Sequence, residues 1–328
     1  MKAILAPHPG GPEVLELADL PVPEPGPGQV RIRVQAAAVN PVDAATREGH
    51  LTDAGLVAAN GPLAIGWDVA GVIDAVGSAV GRYALGDAVV GLRDVLSAPF
   101  GTQAEFVVLD AEAIAHAPRH ATPAEASTLP LNGLTAAQSL DLVGLRPGET
   151  LLVTGAAGSL GGFLVELGAL RGLHVVGVAR PSDEHLVRGL GASTYVARTD
   201  ALGAAVRAAI PGGVDGAIDA AVVGIAALDA VRGGGSFVSV VAGAAPVPLR
   251  GTRVQNVWIR ADGARLAELV ALVDAGRLTL RVAETLPLGE VARAHERLAA
   301  GGLRGRLVLV PAADYGIPTS ELSPTMKR

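Results

Sequence analysis

The chain has no cysteine. That excludes disulfides, thiolate nucleophiles and every cysteine-ligated zinc site. Lysine is nearly absent as well: of 26 Lys and Arg residues, only Lys2 and Lys327 are lysine. A P-loop needs a lysine directly after its last glycine, so none is possible here. A catalytic Tyr-x-x-x-Lys pair is missing too, because the residues four beyond Tyr83, Tyr195 and Tyr315 are Asp87, Thr199 and Thr319. A Schiff-base lysine is disfavoured on the same ground. Aromatic residues make up only 3 % of the chain, so a pocket would be lined by small aliphatic groups rather than stacking rings. No uninterrupted apolar run reaches the roughly 18 residues of a membrane span. The first 11 residues hold one lysine and no long apolar stretch, so no secretory signal is expected. A net charge of −6 gives no electrostatic reason to expect nucleic acid. The expectation is a cytoplasmic protein with neither nucleic acid nor membrane as partner.

What is present suffices for two domains and a full core: 328 residues, half of them hydrophobic. The first 120 residues read as β-rich, with alternation over 30–34 and strand candidates at 69–76 and 104–109. Between them, 21–28 is punctuated by proline and glycine. The pattern changes at Thr122-Pro123-Ala124-Glu125, which offers an N-cap, a proline at the first helical position and an acidic first turn. A helix over 134–143 follows.

Next comes Leu151-Leu152-Val153-Thr154-Gly155-Ala156-Ala157-Gly158-Ser159-Leu160-Gly161-Gly162. An apolar run ends in glycines spaced G-x-x-G-x-x-G, an amphipathic stretch follows over 163–170, and a second apolar run at 174–179 ends in Arg180. Strand, glycine turn, helix and strand in that order form a dinucleotide-binding unit. The glycines let backbone approach a pyrophosphate, and the new helix presents free N–H groups and a positive dipole end. Strands are expected at 151–154, 174–179, 194–197, 214–220, 236–241 and 257–260. With helices between them, they predict an α/β fold, a six-stranded doubly wound parallel sheet of the Rossmann type. A helix over 264–275 ends at Gly276, and strands at 282–286 and 307–310 flank a helix over 289–299. These last elements have no place in a complete six-stranded sheet and are expected to return to the N-terminal part. The polar tail, 312–328, carries Pro318 and Pro324 and is expected to be mobile.

The end of the second strand bears on the cofactor. An acid there would bond a ribose 2′-OH, whereas Arg180, 19 residues after Gly161, suits a 2′-phosphate. Asp183 and Glu184 are close enough in sequence to compete for it.

With the order of elements laid out, residues 1–311 resemble the medium-chain dehydrogenase/reductase superfamily, in particular its zinc-free quinone oxidoreductase, or zeta-crystallin-like, branch. Ala36-Ala37-Ala38-Val39-Asn40-Pro41-Val42-Asp43 resembles the family's A-x-x-x-N-x-x-D segment. Gly66-Trp67-Asp68-Val69-Ala70-Gly71-Val72 resembles its G-x-D/E-x-x-G-x-V strand. Leu129-Pro130-Leu131-Asn132-Gly133-Leu134-Thr135-Ala136 matches the P-x-x-G-L-T-A helix, and 154–161 matches the glycine turn with Ser159 and Leu160 in place of Gly and Val. The resemblance implies a β-rich GroES-like catalytic domain at 1–122, completed by 277–311, and a Rossmann nucleotide-binding domain at 123–276.

Zinc-dependent relatives carry Gly-His-Glu where this chain has Gly66-Trp67-Asp68, so the ligand histidine is a tryptophan. His116 and His120 are the only histidines at helical spacing, and Pro118 lies between them. No metal is expected. Without one, the chemistry best suited is hydride transfer from NADPH to a quinone or an α,β-unsaturated carbonyl, an enone or enoyl acceptor, whose own conjugation stabilises the developing charge. By resemblance, Asn40 is the catalytic candidate, placed beside the nicotinamide and the acceptor oxygen. Asp43, Arg47 and Trp67 are candidates for the substrate pocket. Thr135 would bond the carboxamide. Gly155, Ala156, Gly158, Ser159, Leu160 and Gly161 would form the cofactor turn, Arg180 and Arg198 would hold the 2′-phosphate of NADP, and Ala242 and Gly243 would let the cofactor pass. Many relatives have a tyrosine where this chain has Ala45, which keeps a second reading open: an NADPH-binding protein with a regulatory or structural role and little turnover. A homodimer paired through the last strand of the nucleotide sheet, near 253–259, is expected, with a small molecule as substrate.

Overall fold

A computed structural model describes residues 1–58, 61–96 and 99–312. Residues 313–328, nearly all of the expected tail, lie outside the described residues. The N-terminal part supplies β1 (Lys2–Ala6), β2 (Glu16–Asp19), β3 (Gln29–Val39), β4 (Leu63–Ala64), β5 (Asp68–Val76), β6 (Ala88–Leu92), β7 (Phe106–Asp110) and β8 (Ile114–His116). Helices α1 (Pro41–Arg47) and α2 (His50–Asp53) follow β3. The third strand is the spine of this half. Its alternation puts Val30, Ile32 and Val34 into the core, and it pairs antiparallel with both β5 and β7.

The second half opens with α3 (Pro123–Ala126) and α4 (Pro130–Val143). The capping box expected at Thr122 is formed: Glu125 N donates to Thr122 Oγ1 at 3.2 Å and Thr122 N to Glu125 Oε2 at 2.8 Å. Then come β9 (Thr150–Thr154), α5 (Ser159–Leu170), β10 (His174–Ala179), α6 (Glu184–Gly189), β11 (Thr194–Ala197), α7 (Leu202–Ala209), β12 (Val214–Asp219), α8 (Ile225–Leu228), β13 (Val231–Ser239), β14 (Arg253–Asn256) and α9 (Gly263–Asp274). The six strands form one parallel sheet in the order β11-β10-β9-β12-β13-β14. Its inner strands are apolar runs because helices cover both faces; Leu151, Leu152 and Val153 are all fully buried. Strand order reverses between β9 and β12, and ligands of such sheets bind beyond that switch point, at the strands' carboxyl ends.

The sixth strand differs from expectation. It spans Arg253–Asn256 rather than 257–260, because its ladder to β13 runs from Ser236↔Arg253 to Ser239↔Asn256 and β13 ends there. Val257 N still reaches Ser239 O at 3.0 Å, and Trp258 beyond it is exposed.

The chain closes with β15 (Val282–Pro287), α10 (Val291–Ala300) and β16 (Arg306–Val310). The last strand lies parallel to β15 and antiparallel to β3, with Leu307 opposite Val39. That addition gives a second sheet in the order β15-β16-β3-β5-β6-β8, with β7 alongside β3. From this half, Arg281 reaches the turn after β9, Arg304 reaches Asp183 and Arg306 reaches Asn132 on α4. No helix among the described residues is long and apolar enough to cross a membrane.

Candidate active site

After β9 the chain turns at Gly155, whose φ of 63° is a left-handed conformation that favours glycine. A Cβ at Gly161 would stand 2.0 Å from Gly155 O, so helix and turn touch backbone to backbone. Gly158, the N-cap of α5, has no side chain to occupy the helix's first N–H groups. Those of Ser159, Leu160 and Gly161 remain for an anion, with the helix dipole behind them. Thr154 Oγ1 donates to buried Asp219 at 2.6 Å, and Asp219 accepts from Gly224 N at 2.7 Å, which pins the loop after β12 beside the turn. Arg281 reaches across from the other half, donating to Ala157 O at 3.0 Å and Gly158 O at 2.6 Å. Ala156 is buried beneath the turn.

Arg180 and Arg198 are both exposed and stand at the ends of adjacent strands, one residue past the paired Ala179 and Ala197. Arg198 N bonds Ala179 O at 2.8 Å. The two acids that could have competed for Arg180 are engaged elsewhere. Arg304 holds Asp183 at 2.6 and 2.7 Å, and Arg188 holds Glu184 at 2.8 Å. Among the described residues, neither Arg180 nor Arg198 has an acidic partner. Ala242 and Gly243 are exposed after β13, and Gly243 has a φ of 77° and open space at its Cβ position.

Asn40 follows β3 as the N-cap of α1 and is fully buried. Its Nδ2 donates to Asp68 Oδ2 at 2.6 Å and makes a long 3.4 Å contact to Ala38 O, while its Oδ1 accepts from Asn132 Nδ2 at 3.2 Å. Asp68 also accepts from Leu131 N at 2.6 Å, fixing the start of α4. Arg306 donates to Asn132 Oδ1, and its buried Nε has no acceptor among the described residues. Asp43 accepts from Asn40 N at 2.7 Å and Gly66 N at 3.0 Å, so it braces the loop entering α1. Burial pushes the Asp43 and Asp68 carboxyls up to about 7; their backbone hydrogen bonds pull the other way. Burial also lowers Arg306, to about 10, which leaves it cationic at neutral pH. Trp67 is buried one residue before Asp68, and Thr135 lies buried on α4.

The structure therefore joins Asn40 and Asp43 in one buried hydrogen-bonded cluster with Asp68 and Asn132, places Trp67 buried beside Asp68 in the chain, and gathers the glycine turn and the two arginines along the strand ends. Arg47 is not part of the cluster. Its guanidinium is buried against Gly10 O at 3.0 Å, His295 Nδ1 at 2.9 Å and Glu48, tying α1 to α10. Tyr83 and Tyr195 bond Ile114 O and Ala179 O, so neither hydroxyl is free. Asp68, Asn132, Arg281, Arg304 and Arg306 stand at the candidate site, and sequence reasoning did not single them out. Asn132 lay in plain view inside the P-x-x-G segment, whereas the three arginines belong to segments whose only signal was having no strand place in the nucleotide sheet.

Two family models match. Residues 26–119 match the alcohol dehydrogenase GroES-like domain and residues 190–309 match zinc-binding dehydrogenase. A quinone oxidoreductase of Pseudomonas aeruginosa is 31 % identical over 326 residues, covering 92 % of this chain and 97 % of that protein. The chain belongs to the medium-chain dehydrogenase/reductase superfamily, in its quinone oxidoreductase-like branch. Among solved structures, a quinone oxidoreductase from Coxiella burnetii superposes with a TM-score of 0.83 at 29 % identity, covering 94 % of this chain and 99 % of that one. An NADPH-dependent alkenal/one oxidoreductase of Arabidopsis thaliana is 34 % identical over 209 residues, which is 60 % of this chain and 52 % of that protein. The chain spans about half the length of four such plant relatives.

The family can carry zinc and a nicotinamide cofactor, and the donors present answer differently for each. For zinc the residues do not fit. Trp67 stands at the ligand-histidine position, Asp43 and Asp68 already accept hydrogen bonds from the chain itself, and no group of three or more His, Asp or Glu among the described residues is placed to hold a metal. For the cofactor they fit: a glycine turn closed backbone to backbone, uncapped helix N–H groups and the unpartnered Arg306 Nε all suit an anionic dinucleotide.

Proposed function

We propose that this protein is a zinc-independent oxidoreductase that takes NADPH and reduces a quinone or an α,β-unsaturated carbonyl acceptor. The observation that carries the reading is the donor set around Asn40, where every carboxylate is committed to the chain's own N–H groups and none converges on a metal. An alcohol oxidation would need a Lewis acid or an uncommitted general base there, whereas a conjugated acceptor stabilises its own developing charge. When bound, the nicotinamide supplies the hydride. The chain's residues position and shield. Ser159–Gly161 N–H groups and Arg281 hold the diphosphate, and Arg180 and Arg198 take the 2′-phosphate. Thr135 bonds the carboxamide. Asn40 is fixed by Asp68 and Asn132, and its loosely held second amide hydrogen is assigned to the acceptor oxygen. Solvent returns the proton. The names of the quinone and alkenal oxidoreductase relatives support the same acceptor class.

We also propose a homodimer, since β14 is a sheet edge and Trp258 beside it is 64 % exposed. A light-scattering mass equal to one chain would contradict that.

The test is NADPH oxidation, followed at its near-ultraviolet absorbance, against quinones, enones and enoyl thioesters with NADH in parallel. Turnover of one acceptor class with NADPH preferred is expected. One observation favours the alternative of binding with little turnover: among the described residues, the hydroxyls of Tyr83 and Tyr195 are both engaged by backbone carbonyls. NADPH that raises the Tm yet is never consumed would establish it.

A further inference from the structure

The proposed NADPH reading depends on what surrounds Arg180, and the inference that follows rests on that reading. Asp183 lies three residues after Arg180, and its N–H bonds Arg180 O at 2.9 Å, so both side chains leave one tight turn. A carboxylate in that turn would pair with Arg180 and repel a phosphate arriving at it. Asp183 is prevented from doing either. Its side chain is 10 % exposed, and a carboxylate so buried needs a partner.

The partner comes from 121 residues downstream. Arg304 Nε meets Oδ1 at 2.6 Å and Nη2 meets Oδ2 at 2.7 Å, a two-pronged fork that occupies both oxygens. The remaining nitrogen, Nη1, donates to Gly302 O at 2.6 Å and stiffens the loop before β16. That loop lies against the same corner: a Cβ at Gly302 would sit 3.8 Å from Arg180 Nη1.

We infer that Arg304 is a specificity-determining positioning residue, which sequesters Asp183 and so leaves Arg180 and Arg198 available for a 2′-phosphate. Arg304 contacts no part of the reaction and acts through Asp183. Released, Asp183 would place an acid at the end of β10, the arrangement that favours a ribose 2′-OH over a phosphate. Lysine could not substitute fully, because a single ammonium cannot engage both oxygens in the fork.

The experiment measures Kd for NADPH and NADH with the full chain as wild type, Arg304→Gln, Asp183→Asn and the double variant, each checked by thermal melting. Arg304→Gln is expected to lower the NADPH-to-NADH affinity ratio about tenfold, almost wholly through NADPH. Asp183→Asn in that background removes the liberated charge and should return the ratio to within about twofold of wild type. If Arg304→Gln does not fold, Arg304→Lys serves, with a fall of about threefold expected and the same rescue. An equal loss for both cofactors, an unchanged ratio, or a double variant that fails to recover it would overturn the role of Arg304. A wild type that binds NADH as well as NADPH would instead refute the NADPH reading itself, before any variant is compared.

Discussion

Three glycines in one turn give three different expected outcomes, and the differences come from what a methyl group would meet. At Gly161 the added Cβ would lie 2.0 Å from Gly155 O, 2.6 Å from Gly155 C and 2.9 Å from Ala156 Cα. All three are backbone, so α5 and the turn must separate. Overpacking of this kind costs about 1–3 kcal/mol, which for a chain of this size lowers Tm by roughly 2–6 °C. Gly158 has a φ of −72° and one contact, Gly155 O at 3.2 Å. Alanine there asks Gly155 O to give by only a few tenths of an ångström, so Tm should stay within about 2 °C, the loss of a helix cap being about 1 kcal/mol or less. Its methyl group nevertheless projects where a diphosphate approaches, and NADPH should bind at least about tenfold more weakly, or ~1.4 kcal/mol. At Gly162 the Cβ would crowd the guanidinium of Arg281, the far end of a long side chain, and make ordinary contact with Leu190 Cδ1 at 3.4 Å; no backbone atom is in its way. Gly162→Ala should therefore spare stability and weaken NADPH about threefold by dislodging Arg281. Thermal melts with and without NADPH, paired with NADPH titrations, measure all three. A Gly161→Ala protein with wild-type Tm and affinity, or a Gly158→Ala protein that binds NADPH normally, would refute the reasoning.

Arg180→Ala should cost NADPH about tenfold in Kd and leave NADH unaffected, as measured by titration, since it removes a phosphate contact alone. Arg47→Ala should destabilise by about 2–4 kcal/mol in urea unfolding, because His295 Nδ1 and Gly10 O lose a buried donor; kcat/KM should change less than about twofold. Burial, with help from the Arg47 charge, lowers His295 from 6.5 to about 4. The unfolded chain therefore takes up that proton first, so the stability linked to neutral His295 is complete above pH 6.5 and lost as pH falls towards 4, about 3 kcal/mol in all. Asp43 and Asp68, raised by burial, act in the opposite sense, gaining stability as pH falls below about 7. Their effect cancels in the difference between wild type and His295→Gln, and a difference that stays flat between pH 7.5 and 4.5 would contradict the assignment.

The nucleotide sheet was legible because its determinants are local. Apolar runs such as 151–153 are buried on both faces, and the turn must be glycine at Gly155 and Gly161 for reasons a spacing pattern records. The sixth strand slipped by four residues because its ends are set by the length of β13, and 257–260 is as apolar as a strand should be. Strands β1, β2, β4, β6 and β8 escaped notice because each has five residues or fewer, too short to show a clear period. The site was harder still. An arginine at the end of a short helix reads as solvated or cleft-facing, yet Arg47 is committed to a histidine 248 residues away. The tie between Asp183 and Arg304 and the chain from Asp68 through Asn40 and Asn132 to Arg306 likewise join segments that no local pattern links.

The central claim is direct hydride transfer from NADPH to a conjugated acceptor. It is tested by supplying 4,4-dideuterated NADPH with a cyclic enone and weighing the reduced product by mass spectrometry. The account predicts a ketone carrying one deuterium on the former β-carbon, formed in step with oxidised cofactor. A reduced product without deuterium, or intact cofactor beside unreacted enone, quinone and enoyl thioester alike, would contradict it.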